Sequence, residues 1–181
     1  MTQLKNIFHM LIVLALWQSC GRAQEAGLSK EEREVLRSGI NEVLQADMSD
    51  YVLISSFADF SNLYISEENT EIEKAFETAN EEVVQVAFNE SDFPSSLMPR
   101  EAYDSLFNES TVSGFWRSFR SQWGEGKAGF LEITRPVISG NSAFFWFSHM
   151  EGPKSGAVVR VWLKKQGTGW KLERADERLE F

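Results

Sequence analysis

The sequence predicts an α+β domain in which N-terminal helices pack on a C-terminal antiparallel sheet of four or more strands. Between residues 29 and 123, several segments have apolar side chains at the three- and four-residue spacing of amphipathic helices. From residue 129 to residue 175, four β-rich runs alternate with short turns that contain Gly, Ser or Asn. Residues 24–181 are predicted to form one domain, since about 160 residues can bury most of their apolar surface.

The N-terminal part is predicted to be mainly helical. The first helix should begin after Ser29, because Glu32 follows three residues later and completes a capping box. Thr70 is expected to cap a second helix, whose apolar stripe contains Ile72, Ala75, Phe76, Ala79, Val83 and Val86. Further elements are expected at residues 51–57 and 63–66 (strands) and at residues 100–107 and 111–123 (helices).

The last third is predicted to form an antiparallel meander with short turns. Its strands are expected at residues 129–135, 142–150, 157–165 and 169–175. Alternation along the third strand places Val159, Val161 and Leu163 on one face, and Arg160 and Trp162 on the other. We expect the helices to cover the first of these two faces.

Arg160 and Trp162 mark a candidate binding surface on the second face, and Trp146 is expected to join them from the neighbouring strand. A cluster of Trp and Arg is typical of surfaces that bind a protein or a small ligand. The alternative is that a second layer or a loop buries these rings, since large aromatic side chains are mostly buried. If Glu173 faces Arg160 across adjacent strands, the two form an exposed ion pair, and Arg160→Ala costs under about 1 kcal/mol.

Residues 1–23 have the pattern of a secretory signal peptide. Lys5 precedes an apolar core at residues 7–17, which is shorter than the roughly twenty residues needed to span a bilayer. Cleavage after Ala23 would release a chain that begins at Gln24, because Gly21 and Ala23 are the small residues that signal peptidase requires.

Cys20, the one cysteine of the chain, supports a second interpretation, a lipoprotein signal at residues 1–19. Ser19 is the small residue that a lipobox has before its cysteine, whereas Trp17 stands where Leu, Val or Ile is usual. Lipid on the Cys20 thiol would then be the contact of the protein with a membrane. Either cleavage predicts an exported protein that is periplasmic, attached to the cell envelope or secreted.

The charge balance argues against several classes of partner. The chain has 18 Lys and Arg against 27 Asp and Glu, and removal of Lys5 and Arg22 leaves 16 cations and a net charge of −11. Nucleic-acid binding requires clustered cations, so nucleic acid is not expected as a partner. An anionic membrane surface should also repel the body of the domain.

Residues 24–181 lack the side chains that most catalytic mechanisms require. His149 is the one histidine there and no cysteine remains, which excludes Cys–His catalysis and cysteine-rich zinc sites. Residues 124–129 match Gly-x-Gly-x-x-Gly, but they follow a predicted helix and precede a strand, the reverse of a dinucleotide loop. We therefore assign no catalytic, cofactor-binding or metal-binding residue.

Residues 104–175 resemble an uncharacterised family of exported bacterial proteins whose C-terminal meander ends in a Gly-x-Trp-Lys strand. The matching elements are the strand at residues 129–135, Asn141 in the next turn, and the strands at residues 143–147 and 163–171. Thr134 replaces the Ser that is usual in the first of these strands. The resemblance implies a meander and no known activity, and the last strand is also similar to that of cystatin-like and NTF2-like folds.

Two functional hypotheses follow. The first is an exported, non-catalytic domain that binds a protein or a small ligand on or under its sheet. The second is a carboxylate-dependent enzyme of the hydrolase type with a cavity between sheet and helices. The chain has enough carboxylates for such an enzyme, Glu132 and Glu173 among them. A pocket with converging polar groups and an acid of strongly raised pKa would favour the enzyme, and a closed core with an exposed Trp162 surface would favour the binding domain.

Overall fold

The computed structural model describes residues 27–58, 70–80, 96–109 and 111–180, which form four α-helices, one 3₁₀ turn and seven strands. In chain order these are α1 (Lys30–Leu44), the 3₁₀ turn (Met48–Asp50), β1 (Tyr51–Ile54), α2 (Glu71–Asn80), β2 (Ser96–Met98), α3 (Arg100–Glu109), α4 (Val112–Trp123), β3 (Gly129–Ile133), β4 (Val137–Ser139), β5 (Ser142–Gly152), β6 (Ser155–Gln166) and β7 (Gly169–Glu180). The α+β class is confirmed. The predictions for residues 1–23, 63–66 and 81–86 lie outside the described residues.

The strands form one open, mixed sheet in the order β2-β1-β3-β5-β6-β7, with β4 also paired to β5. The predicted antiparallel meander is confirmed as β3-β5-β6-β7. The sheet extends beyond it, because β1 lies parallel to both β2 and β3. Parallel neighbours need long crossover connections, and the chain between β1 and β3 contains α2, α3 and α4.

The helices lie on both faces of the sheet, which corrects the expectation that they cover one. α1 packs on the face of Val159, Val161 and Leu163, where Leu36 and Ile40 are fully buried against them. The reason for the second layer is visible in β5, whose residues 143–147 are all buried and apolar. A strand with a continuous apolar run needs cover on both of its faces.

Two separate clusters form the core of the second face. One lies under α3 and α4, where Phe115, Trp116, Phe119, Phe130, Val52, Ile54 and Met98 pack together. The other lies under α2 and contains Phe76, Phe144, Trp146, Val158 and Trp162, with the Phe76 and Phe144 ring centres 5.0 Å apart. The second cluster contains two of the three residues of the candidate binding surface, Trp146 and Trp162.

The predicted start of α1 is confirmed in detail. The Ser29 hydroxyl accepts from the Glu32 N–H at 3.1 Å, and the Glu32 carboxylate accepts from the Ser29 N–H at 2.7 Å. Gly39 then faces the sheet, where an added Cβ would lie 2.8 Å from the Phe145 ring. The missing side chain lets α1 lie close to β5 and β6.

Candidate functional site

Arg160 of β6 is the charged residue at the centre of the second face, and its side chain is only 4% exposed. Its guanidinium carbon lies 5.8 Å from the Trp146 ring centre and 5.0 Å from the Trp162 ring centre. Nη2 donates a hydrogen bond to Asp176 of β7, and Nη1 lies 3.8 Å from Glu73 Oε1 of α2. Arg160 therefore joins α2 to the outer strand of the sheet through two carboxylates.

Glu73 is positioned by the first turn of its own helix. Its Oε2 accepts hydrogen bonds from the backbone N–H and from the hydroxyl of Thr70, both at 2.8 Å. The Glu73 N–H in turn donates to the Thr70 hydroxyl at 3.4 Å, so Thr70 caps this helix as predicted. One carboxylate thus serves both as a helix cap and as a counter-ion of Arg160, and its side chain is 2% exposed.

The structure brings the three predicted surface residues together but buries them. Trp146, Arg160 and Trp162 lie on one face, opposite Val159 and Val161, as the alternation predicted. Their exposed fractions are 1%, 3% and 8%, because α2 lies over this face. The alternative of burial under a second layer is therefore what the structure contains, and an open Trp–Arg surface is not.

The expected partner of Arg160 also differs. The pairing of β6 with β7 shifts register between Trp162 and Leu163, so that Glu173 is the extra residue of a bulge. The bulge places Arg160 opposite Asp176, where the unshifted register would place Ala175, and Glu173 faces Arg160 in neither register. The same bulge brings Arg174 opposite Trp162.

A groove of about 480 Å³ lies at the edge of this buried cluster, where the start of α2 meets β5, β6 and β7. We call it the Trp162 groove; its lining includes Ile72, Ser142, Trp162, Lys164, Glu173 and Arg174. The Arg174 guanidinium carbon lies 3.8 Å from the Trp162 ring centre. Lys164 Nζ lies 2.6 Å from the Ser142 hydroxyl oxygen. Of the three predicted surface residues, Trp162 is the one that lines this groove.

The groove carries two cations whose role the sequence did not reveal. In the described parts of the chain, neither Lys164 nor Arg174 forms a salt bridge with a carboxylate. The alternation that predicted the face of Trp162 also applies to Lys164, two residues later on β6, but the position of Arg174 depends on a bulge that no sequence pattern indicated.

A second polar cluster lies on the same sheet face, beside α3. Glu132 of β3 accepts a hydrogen bond from Arg100 Nη1 at 2.6 Å and one from the Ser148 hydroxyl at 3.5 Å. Arg100 Nε also donates to the Ser56 hydroxyl at 3.0 Å. Burial, and then the nearby Glu132 carboxylate, raise the pKa of Tyr103 above its usual value. This arrangement is an internal ion pair with satisfied polar neighbours.

A third polar cluster lies near the other end of β1. The Tyr51 hydroxyl donates to Glu151 Oε1 at 2.6 Å, and His149 Nδ1 lies 3.5 Å from the same oxygen. Burial, and then this hydrogen bond, raise the pKa of Tyr51. Among the described residues, no group of three His, Cys, Asp or Glu side chains is placed to hold a metal ion.

The two tyrosines predict a loss of stability in alkali. Because the pKa of each phenol is higher in the folded chain than its unfolded value of about 10, their contribution is fully present below about pH 10 and is lost above it. We expect Tyr103→Phe and Tyr51→Phe each to flatten the fall of the unfolding free energy between about pH 10 and pH 12. Urea unfolding at several pH values measures this slope, and a double variant with the slope of the parent would contradict it.

The Gly-x-Gly-x-x-Gly segment at residues 124–129 connects α4 to β3. Gly124 ends α4 with φ 93°, and β3 begins at Gly129. The segment follows a helix and precedes a strand, as predicted, so it has the wrong context for a dinucleotide loop.

The chain matches no protein-family model, and no curated protein or solved structure is found to be similar to it. None of the described helices is both long enough and apolar enough to cross a membrane. The fold and the site therefore define a class only: an α+β domain with helices on both faces of an open mixed sheet and a cationic, Trp-lined groove at the edge of one helix.

Proposed function

We propose that the protein is an exported, non-catalytic binding domain whose small ligand occupies the Trp162 groove. The observation that carries this proposal is the pair of cations, Lys164 and Arg174, beside a Trp ring in a groove of about 480 Å³. Ligand sites typically measure about 300–1,000 Å³ and combine apolar walls with a few polar groups. The groove has this combination, since Ile72 and Trp162 lie beside the two charged side chains.

The charge distribution supports the same proposal. In the rest of the second face, Arg100 is paired with Glu132, and Arg160 with Asp176 and Glu73. Those cations are already neutralised by the protein, whereas Lys164 and Arg174 face a groove whose lining contains one carboxylate, that of Glu173. A cation without an internal counter-ion can gain more from a bound anion than a paired one can.

The alternative function is a carboxylate-dependent enzyme centred on Glu132. The observation in its favour is that Glu132, Ser148 and Tyr103 converge on one side of the sheet. The ion pair of Glu132 with Arg100 opposes it, because the carboxylate oxygen is already engaged by a guanidinium nitrogen at 2.6 Å and is not free to approach a substrate. We therefore place ligand binding ahead of catalysis.

Backbone amide resonances of the ¹⁵N-labelled protein test the proposal during titration with a library of small organic molecules. Compounds that bind are expected to shift resonances of residues 142–143, 162–164 and 173–174. The resonances of Arg100, Glu132 and Ser148 serve as an internal control, since they belong to the other cluster on the same face. Binding that shifts only this second set would overturn the proposal and favour the enzyme.

Export is tested separately through Cys20. If lipid on this thiol anchors the protein, Cys20→Ser is expected to move it from the membrane fraction to the soluble fraction of the native host. The reason is that an acyl chain contributes about 0.8 kcal/mol of membrane affinity for each buried CH₂ group. A parent protein that is already soluble and begins at Gln24 would instead support cleavage after Ala23, and a chain that retains Met1 would disprove export.

A further inference from the structure

We propose that the Trp162 groove binds an oxyanion, a carboxylate or a phosphate, carried on a small apolar body, and that Arg174 is its principal receptor. The inference rests on the proposed function and adds the chemical class of the ligand. It follows from the position of Arg174, from the second cation and from the apolar part of the lining.

Arg174 is held in place by Trp162. A guanidinium carbon 3.8 Å from the ring centre lies at stacking distance, well inside the roughly 6 Å limit of a cation–π contact. Trp162 is itself fixed, since its ring centre lies 4.8 Å from that of Phe144 and the residue is only 8% exposed. Stacking restricts the planar guanidinium and leaves its edge, which carries the N–H donors, for a ligand.

A guanidinium edge recognises oxyanions with particular geometry. Two parallel N–H groups match the two oxygens of a carboxylate or of a phosphate, and such charge-assisted pairs are stronger than hydrogen bonds between neutral groups. Because no described carboxylate forms a salt bridge with Arg174, this edge is available to a ligand.

Lys164 supplies the second positive charge. Its Nζ uses one donor on the Ser142 hydroxyl at 2.6 Å, and an ammonium group has three donors. Two donors therefore remain for a second oxygen of the ligand. Two cations against the single carboxylate of Glu173 give the lining a net positive charge in a strongly acidic chain, which favours an anion.

The apolar part of the lining sets the other half of the ligand. Ile72 of α2 and Trp162 of β6 are the apolar side chains that line the groove on this face of the sheet. The Ile72 side chain and the carbon surface of the Trp162 ring offer no hydrogen bonds, so they fit an aromatic or aliphatic body. A free inorganic anion would use the cations and leave this apolar surface exposed to water.

Three matched probes test the inference: 2-naphthoate, 2-naphthyl phosphate and neutral 2-naphthamide, each titrated into the ¹⁵N-labelled protein. We expect one or both anions to shift the resonances of residues 162–164 and 173–174, and the amide to bind at least about tenfold more weakly. Arg174→Ala should weaken the anions about tenfold, as the loss of a charged hydrogen-bonding pair does. Arg174→Lys should restore only part of the affinity, because lysine keeps the positive charge but lacks the planar guanidinium with its parallel N–H donors.

Arg117→Ala is the matched control. Arg117 is an exposed arginine of α4 that does not line the groove, so this variant removes the same charge and should leave binding unchanged. Thermal melts of every variant confirm that the fold is retained.

The outcomes separate the two proposals. If the amide binds in the groove as tightly as the anions, the oxyanion inference is wrong and the proposed binding function stands. The same conclusion follows if Arg174→Ala and Arg117→Ala weaken the anions equally. If none of the probes shifts a groove resonance, the oxyanion inference is overturned, and the library titration alone then decides whether the groove binds another class of ligand. A preference between naphthoate and naphthyl phosphate identifies the anionic group.

Discussion

Arg160→Met is expected to reduce the free energy of unfolding by about 3–5 kcal/mol, the range for breaking a buried ion pair on one side. The variant leaves the Glu73 carboxylate, whose side chain is 2% exposed, without its nearby cation. It also removes the guanidinium that lies between the Trp146 and Trp162 rings. Urea unfolding followed by tryptophan fluorescence and circular dichroism measures the loss.

A second substitution tests the cause of this loss. Glu73→Gln keeps an oxygen that can accept from Thr70 but removes the stranded charge, so the double variant should be more stable than Arg160→Met alone. Arg117→Ala is the control for loss of an arginine at the surface and is expected to change stability by less than about 0.5 kcal/mol. An Arg160→Met protein within about 1 kcal/mol of the parent would show that α2 does not depend on this ion pair.

Gly129→Ala is expected to cost about 3 kcal/mol, at the upper end of the usual range for overpacking. Gly129 opens β3, and a Cβ at this position would lie 1.9 Å from the Met150 carbonyl oxygen and 2.8 Å from the Met150 carbonyl carbon. Both are backbone atoms of β5, which is paired with β3 at the adjoining residue, Phe130. The strands must therefore separate to admit one methyl group. The midpoint of thermal unfolding should fall by several degrees or more.

Gly126→Ala is the matched control for this prediction. Gly126 lies in the same connection between α4 and β3, and an added Cβ there meets no atom within 4 Å. We expect the free energy of unfolding of Gly126→Ala to remain within about 0.5 kcal/mol of that of the parent. Equal melting temperatures for the two variants would show that β3 and β5 are not packed as closely as the structure has them.

Local patterns predicted the elements well. The Ser29–Glu32 capping box, Thr70 at the start of α2 and the alternation along β6 are confirmed, because each depends on residues that are neighbours in the chain. The parallel pairing of β1 with β2 was not predictable, since the three residues Ser96–Met98 carry no strand pattern of their own. Their pairing is decided by residues distant in sequence.

The second helical layer was indicated by the sequence, but only as the alternative to an open Trp–Arg surface. The run Ala143 to Phe147 has no polar residue to mark a solvent-facing side, which predicts burial on both faces. Alternation along β6 suggested an open surface because Arg160 interrupts the apolar residues there. Arg160 is buried because Glu73 and Asp176 accompany it, and a sequence pattern cannot show a counter-ion that arrives from a separate helix.

The candidate site was predicted only in part. Trp162 lines the groove, but Arg174 reaches it through the bulge at Glu173, which moves every later residue of β7 by one position relative to β6. A one-residue shift exchanges the two faces of a strand, so a prediction made without the bulge places Arg174 on the wrong side. The groove itself exists only where α2 meets the sheet.

The position of β1 within the sheet has a consequence for the order in which the protein folds. Strands β5, β6 and β7 pair with their neighbours in the chain, whereas Val52 of β1 pairs with Ser96 and with Phe130. Distant pairings have the larger entropy cost of loop closure and form slowly.

The hairpins should therefore assemble first, while β3 keeps an open edge until β1 pairs with it. Pulse-labelling hydrogen exchange would show β6 amides protected before those of β1, and the reverse order would refute this view. Until that last insertion, the nascent sheet offers a bare edge to other chains, so the rate at which β1 inserts sets the interval during which the protein can aggregate.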